Sequence, residues 1–298
     1  MEKDTFKDFI ANVKEMITDA FGNEYTINVA EYLKNNGVVL TGLSIIEKDS
    51  NGSPIIYLDN FYDYYMDGLT YDEIISKIKN LYLEHKDIDG FDEKAFFDFK
   101  KASEKIIYRL INYKENKNVL DGIPNRRILD LAVVYYYVVE LKEDFSACAM
   151  ITNAIIEKWN ISEGDLYDIA RVNTPKMLPC KIKSIQEVIN KQSLFEFGMG
   201  DKSLDFMYVC SNQLSSNGAV CMIYPKVLSE FSSAIDEDLY ILPSSVHEVI
   251  LLPASSWCSA YSLREMVASV NENEVMTQEV LSNNVYRYER SSGDISIA

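Results

Sequence analysis

Pro54-Ile55-Ile56-Tyr57-Leu58 is followed by Asp59-Asn60-Phe61, Tyr62-Asp63-Tyr64-Tyr65 and Thr70-Tyr71-Asp72-Glu73. This stretch reads as a strand, a short helix, a loop and a helix that starts on a capping box. The same order recurs at Ala147-Cys148-Ala149-Met150-Ile151, Thr152-Asn153-Ala154, Ile155-Ile156-Glu157-Lys158 and Ser162-Glu163-Gly164-Asp165. A module met twice is a statement about architecture, and duplication and chance both account for it. Working outward, Phe6, Phe9, Ile10, Val13, Ile17 and Phe21 recur at helical spacing. Thr26–Leu33 and Val38–Glu47 read as strands around Asn35-Asn36-Gly37, whose Asn-Gly pair suits a tight turn. The most continuous strand signal is Leu129–Leu141. Its run Ala132-Val133-Val134-Tyr135-Tyr136-Tyr137-Val138-Val139 is β-branched and aromatic with little alternation, as expected of a strand covered on both faces.

Further along, Lys100–Asn112 fits a helix through Ile106, Ile107, Leu110 and Ile111 but stays ambiguous. Phe206–Cys210 and Ala219–Tyr224 read as a hairpin around Ser215-Ser216-Asn217-Gly218. Leu239–Leu242 and Val246–Leu252 add strands, and Ser262–Asn271 a helix. Val285–Tyr288 with Ile295–Ile297 makes a terminal hairpin at Ser292-Gly293. The expected class is α+β: successive β-hairpins each followed by helices, in antiparallel or mixed sheets with helices packed on one face. The expected division is an N-terminal domain over 1–175, a linker over 176–204 that carries Pro179, Gly198 and Gly200, and a C-terminal domain over 205–298. One large domain is the alternative.

The 298 residues carry a net charge of −17, with 47% hydrophobic and 25% charged residues, which is ordinary for a globular protein. The charge is uneven. Residues 1–100 hold 10 basic and 20 acidic groups, 101–200 hold 14 and 13, and 201–298 hold 5 and 13. Such a balance opposes direct nucleic-acid and anionic-lipid binding, because phosphate recognition needs Lys and Arg. The acidic start Met1-Glu2-Lys3-Asp4 is unlike a secretory signal, and no uncharged apolar run approaches the roughly 18 residues of a membrane helix. Five scattered cysteines without a CxxC pair favour reduced thiols in a cytoplasm. They also provide no zinc spacing. The acids interleaved between Asp59 and Asp72 do not follow the calcium-loop order, so neither a metal nor a cofactor is expected.

Tyr108-Arg109-Leu110-Ile111-Asn112-Tyr113, Pro124-Asn125-Arg126-Arg127 with Leu129–Tyr137, Leu242–Pro253 and Val280–Tyr288 together resemble an uncharacterised domain-of-unknown-function family of anaerobic, gut-associated Gram-positive bacteria. The resemblance covers nearly the whole chain. The segment from Trp159-Asn160-Ile161-Ser162 to Met266 is also similar, more faintly, to a second uncharacterised bacterial family. The resemblance implies a cytoplasmic bacterial protein and brings no activity, cofactor or catalytic residue.

Candidate site residues are few. There are two histidines, His85 and His247. His85 near a helix end complements the dipole. His247, beside Glu248 and after Ser244-Ser245, is the candidate base, although adjacent strand residues point to opposite faces. Arg126 and Arg127 offer guanidinium forks for a carboxylate or phosphate, or they answer the chain's own acids. Tyr62 and Tyr65, in the acid-interleaved aromatic stretch, suit an interface or a half-buried helix. Cys210 and Cys221 could face one another across the expected hairpin, or lie in the core as reduced thiols. The leading expectation is a non-enzymatic cytoplasmic protein that binds another protein through Arg126, Arg127, Tyr62 and Tyr65. One alternative is a small hydrolase or transferase on an anionic substrate, with the arginines as clamps and His247 and Glu248 as catalytic groups. Another is an acidic nucleic-acid mimic of a mobile element.

Overall fold

A computed structural model describes residues 3–48, 53–86, 91–142, 145–188, 206–256 and 258–298. The fold is α+β with antiparallel sheets, in two compact units, 1–93 and 94–298.

In the first unit, Thr5 caps helix α1 (Phe6–Phe21) and accepts from the Asp8 amide at 3.3 Å. Gly22, at φ +73°, ends it with a conformation few other residues adopt. The chain then forms a meander of β1 (Tyr25–Leu33), β2 (Val39–Glu47) and β3 (Ile55–Tyr57). The first turn is wider than a two-residue hairpin: Asn36 and Gly37, both at positive φ, sit in a 3-10 turn. The register sets Ile27 opposite Ile45, Val29 opposite Leu43, and Leu43 opposite Ile56. That apolar face receives Phe9, Val13 and Ile17 of α1, Leu58 and Phe61 of α2 (Leu58–Met66), and Ile74, Ile78 and Tyr82 of α3 (Tyr71–His85). The three helices bury their apolar stripes on this one core, which is why the sheet turns its Val29 and Leu43 side toward them.

The second unit holds two sheets. The first is built on β6 (Leu131–Lys142). Along one side of β6 runs β4 (Ile106–Asn112); along the other, β5 (Asn125–Ile128) and β7 (Phe145–Met150) pair with its two halves. The helix 163–177 packs on β4, where Thr174 Oγ1 accepts from the Tyr108 amide at 3.1 Å. Trp159 donates its indole N–H to the Phe96 carbonyl at 3.0 Å and packs edge-on against the Phe96 ring. The second sheet has the order β13 (Asp294–Ile297), β12 (Tyr286–Glu289), β10 (Leu239–Leu242), β11 (Val249–Pro253), β9 (Tyr208–Asn212), β8 (Cys180–Ser184). Leu263 and Val267 of the helix 260–273 pack with Leu242, Leu252 and Val285.

Three expectations meet a different structure. Ile106–Asn112 is a strand, because its residues pair one for one with Tyr137–Leu131 of β6. Gly218–Ile223 is a 3-10 turn rather than a strand. A Cβ on Gly218 would fall 2.5 Å from the Asn212 amide nitrogen and 2.7 Å from the His247 carbonyl oxygen, so the chain passes there only as glycine. The unit boundary falls at 93/94, not near 175. Cys180–Ser184, inside the expected linker, is paired along its length with β9, and 189–204 lies outside the described residues. A second cause is Asp130, in the turn before β6. Its carboxylate accepts from Ser282 Oγ at 2.6 Å, Asn284 Nδ2 at 3.0 Å and the Tyr286 hydroxyl. This one side chain ties the first sheet to the C-terminal segment.

The two modules quoted above are both present. β3, α2 and α3 in the first unit correspond to β7, the helix 153–159 and the helix 163–177 in the second. Thr70 with Glu73, and Ser162 with Asp165, both form complete capping boxes. Each module ends a three-strand antiparallel meander, β1-β2-β3 in one unit and β4-β6-β7 in the other, with β5 as the addition.

Candidate functional site

Arg126 and Arg127 are neighbours on β5, so they leave it on opposite faces. Arg126 pairs across to Val133 and points toward the helix 163–177. There its Nε and one terminal nitrogen donate to the two oxygens of Glu163 at 3.2 and 2.9 Å, and its guanidinium stacks 3.8 Å from the Tyr167 ring centroid. The Glu163 carboxylate also accepts from the hydroxyl of Tyr135, a fully buried residue. The hydrogen bonds to Glu163 raise the Arg126 pKa further, and burial first, then Glu163, raises that of Tyr135. Arg127 lies over Tyr113, 4.6 Å from its centroid, with its Nε donating to the Leu129 carbonyl. The pair therefore does not converge on one anion.

His247 precedes β11, and both of its ring nitrogens are occupied. Nδ1 accepts from the Asn217 amide at 3.3 Å, and Nε2 lies 3.3 Å from a Glu279 oxygen. With Nδ1 held as acceptor, Nε2 carries the proton and points it at the carboxylate. No lone pair remains for a substrate proton, so the ring acts as a bridge between the Asn217 loop and the Glu279 turn. The His247 carbonyl is engaged too, accepting from Ser211 Oγ at 2.7 Å and the Gly218 amide at 2.9 Å. Burial raises the Glu248 pKa, with His247 opposing and Glu279 adding to the shift.

Tyr62 and Tyr65 turn inward. Their rings lie 5.3 and 5.4 Å from Phe9, and Tyr65 lies 5.0 Å from Tyr71. The Tyr62 hydroxyl donates to the Asp4 carbonyl, the Tyr65 hydroxyl accepts from the Asp4 amide, and the Tyr71 hydroxyl donates to the Asp4 carboxylate at 2.7 Å. This cluster fastens the segment leading into α1. The exposed Asp63 and Asp67 form the outer side of α2, and Tyr64 and Met66, each 47% exposed, border it on opposite flanks. Tyr64 packs edge-on against Phe61, 6.0 Å between centroids, and Lys77 Nζ lies 5.9 Å from its ring centroid.

Among the described residues, no group of three or more His, Cys, Asp or Glu is arranged to hold a metal ion, and no helix is long and apolar enough to cross a membrane. An open groove of about 490 Å³ is bordered by Phe206, Tyr208, Ile235 and Pro253; Arg126, Arg127, His247 and Glu248 do not line it. Sequence reasoning missed two arrangements. One is the Asp130 junction, for which a lone Asp between Leu129 and Leu131 carries no signal. The other is a meeting of three thiols: Cys180 Sγ lies 3.6 Å from Cys210 Sγ, and Cys221 is near enough to bear on the ionisation of Cys180. Nothing in the spacing of 180, 210 and 221 marks it, because a 3-10 turn brings the last of them back.

The fold and these arrangements define an α+β protein in which the conspicuous arginine and histidine candidates are engaged by the protein's own side chains and backbone. The chain belongs to the DUF5688 family, a family of unknown function whose model matches residues 6–290. No curated protein and no solved structure matches it.

Proposed function

We propose that this is a non-enzymatic protein-binding protein of the bacterial cytoplasm, in an anaerobic gut-associated host, and that α2 of the first unit carries the contact face. The observation behind this reading is the outer side of α2, where the exposed Asp63 and Asp67 stand between the half-exposed Tyr64 and Met66. It sits on a unit whose 93 residues include 8 basic and 19 acidic side chains. Tyr and Met are enriched in interface cores, and the acidic excess of the unit, with Lys77 over Tyr64 and Lys3 at the Met66 carbonyl as local exceptions, favours a partner of opposite charge. A protein with a basic rim around an apolar pocket is the matching partner. The occupied nitrogens of His247 and the opposed directions of Arg126 and Arg127 weigh against an anion-clamping hydrolase or transferase.

The test is capture of a partner from host lysate by the tagged full chain, at low and high salt. A stoichiometric partner retained by wild type and lost on Tyr64→Ala/Met66→Ala supports the reading. Equal capture by wild type and that variant, or an empty capture with folded protein, overturns it. A second reading, the acidic mimic, draws on the charge of the first unit; release of the captured protein by duplex DNA would select it.

A further inference from the structure

Cys180 opens β8, Cys210 lies on β9 and Cys221 lies in the 3-10 turn Gly218–Ile223. Cys180 pairs with Asn212, and Cys210 with Ile182, so the first two cysteines lie on one face of the ladder as diagonal neighbours. We propose that Cys180, with Cys210 as its resolving partner, is a thiol–disulfide exchange site that takes small-molecule disulfides.

The three sulfurs are unequally placed. Cys180 is partly open to solvent, whereas Cys210 and Cys221 are fully buried. A small disulfide can therefore reach the first thiol and not the other two. The contacts also set which thiol ionises first. Hydrogen bonds from Cys210, then from Cys221, hold the Cys180 pKa below the ordinary thiol range. The same contacts, followed by burial, push both partners up. The other ionisable side chains bordering Cys221 are Tyr224 and Tyr108, whose buried hydroxyl has no hydrogen-bond partner. A partly open thiol that ionises more readily, beside a buried thiol that holds its proton, is the asymmetry that exchange requires.

The chemistry balances in two steps. The Cys180 thiolate attacks one sulfur of a small disulfide; that S–S bond breaks, one small thiolate leaves, and a mixed disulfide forms on Cys180. Cys210 then gives up its proton and attacks Cys180 Sγ, expelling the second small thiolate. The Cys180 thiolate and the Cys210 thiol are oxidised to one disulfide, and the small disulfide is reduced to one thiol, which takes the Cys210 proton, and one thiolate, which takes a proton from solvent. Diagonal Cα atoms are roughly 7–8 Å apart on a flat ladder, slightly beyond the ~4.4–6.8 Å of most disulfides. Closure therefore draws Cys180 inward by about an ångström. Cys180 is the first residue of its strand, so the shift bends the neighbouring bond from the Gln213 amide to the Pro179 carbonyl and leaves the rest of β8 paired.

The experiment treats the reduced full chain with oxidised glutathione and maps disulfides by peptide mass spectrometry without reduction. The wild type should form the Cys180–Cys210 bond, Cys210→Ser should trap glutathione on Cys180, and Cys180→Ser should leave Cys210 and Cys221 as thiols. An unmodified Cys180 in wild type, a bond to Cys221 instead, or oxidation unaffected by Cys180→Ser overturns the assignment. A measurement needing no substitution is the alkylation rate of Cys180 against pH. It should be nearly flat between about pH 6 and 8, where a thiol of ordinary pKa accelerates roughly 75-fold; an ordinary rise overturns the proposal.

Discussion

Glu163→Ala should destabilise the second unit more than Tyr135→Phe does, and the two losses should not add. The carboxylate serves two donors in different surroundings. Tyr135 is fully buried, while the Arg126 and Glu163 side chains are 37% and 28% exposed. Tyr135→Phe removes the hydroxyl and leaves Glu163 bidentate to Arg126 with water at hand. A hydrogen bond to a charged group contributes about 1.5–3 kcal/mol, and the low end, about 1.5, applies here. Glu163→Ala instead strands a buried hydroxyl, which costs roughly 1–3 kcal/mol. It also frees an arginine open enough that its pair counts as a surface one, at most about 1 kcal/mol. The single losses are thus about 1.5 and about 3 kcal/mol. The double variant has no stranded hydroxyl and should lose about 2.5 kcal/mol, the hydrogen bond plus the arginine pair, rather than the sum, a coupling of ~2 kcal/mol. Both tryptophans, Trp159 and Trp257, belong to the second unit, so urea unfolding followed by tryptophan fluorescence reads that unit. Additivity within ~0.5 kcal/mol, at unchanged m-value, would refute the shared-acceptor account.

Other outcomes follow from single geometries. Gly218→Ala should prevent stable folding of the second unit, since its Cβ meets main-chain atoms of Asn212 and His247. Gly42→Ala should be milder, because its closest neighbours are the side chains of Ile55 and Tyr32; thermal melts of both variants check the ranking. Thr70→Ala and Ser162→Ala should each cost about 1 kcal/mol in the unit that holds the cap, measured by denaturant unfolding. Burial favours protonated Glu248 in the fold, so its contribution is complete below the ordinary glutamate pKa and is lost as pH rises through the raised value. Glu248→Gln should leave the melting temperature near pH 4 almost unchanged and raise it near pH 7.5; equal effects at both would contradict the burial.

Features governed by neighbours in sequence were legible. The period of α1, the capping boxes at Thr70 and Ser162, and the β-branched run of β6 all depend on residues a few positions apart. Features governed by partners far along the chain were not. Ile106, Ile107, Leu110 and Ile111 fit a helix, and only pairing with β6 makes them a strand. Ala219–Tyr224 has strand composition, but the close approach of Gly218 to Ser211 and His247 coils it into a 3-10 turn. The segment around Pro179 resembles a linker, and Cys180–Ser184 becomes a strand because β9 offers it an edge. Among site residues, the aromatic stretch was legible as a composition. Which tyrosines face inward was not, because that depends on Phe9 and Asp4, more than fifty positions away.

The division of labour on α2 is the core of this account, and two variants tested in parallel examine it most directly. Tyr62→Ala removes ring contacts to Phe6 and Phe9 and should cost roughly 2 kcal/mol, lowering the calorimetric transition of the first unit by about 10 °C. Partner capture well below that transition should persist. Tyr64→Ala, which gives up one edge contact to Phe61, should lower the transition by about half as much or less and abolish capture. Capture lost on Tyr62→Ala with an unshifted transition, and kept on Tyr64→Ala, would contradict it.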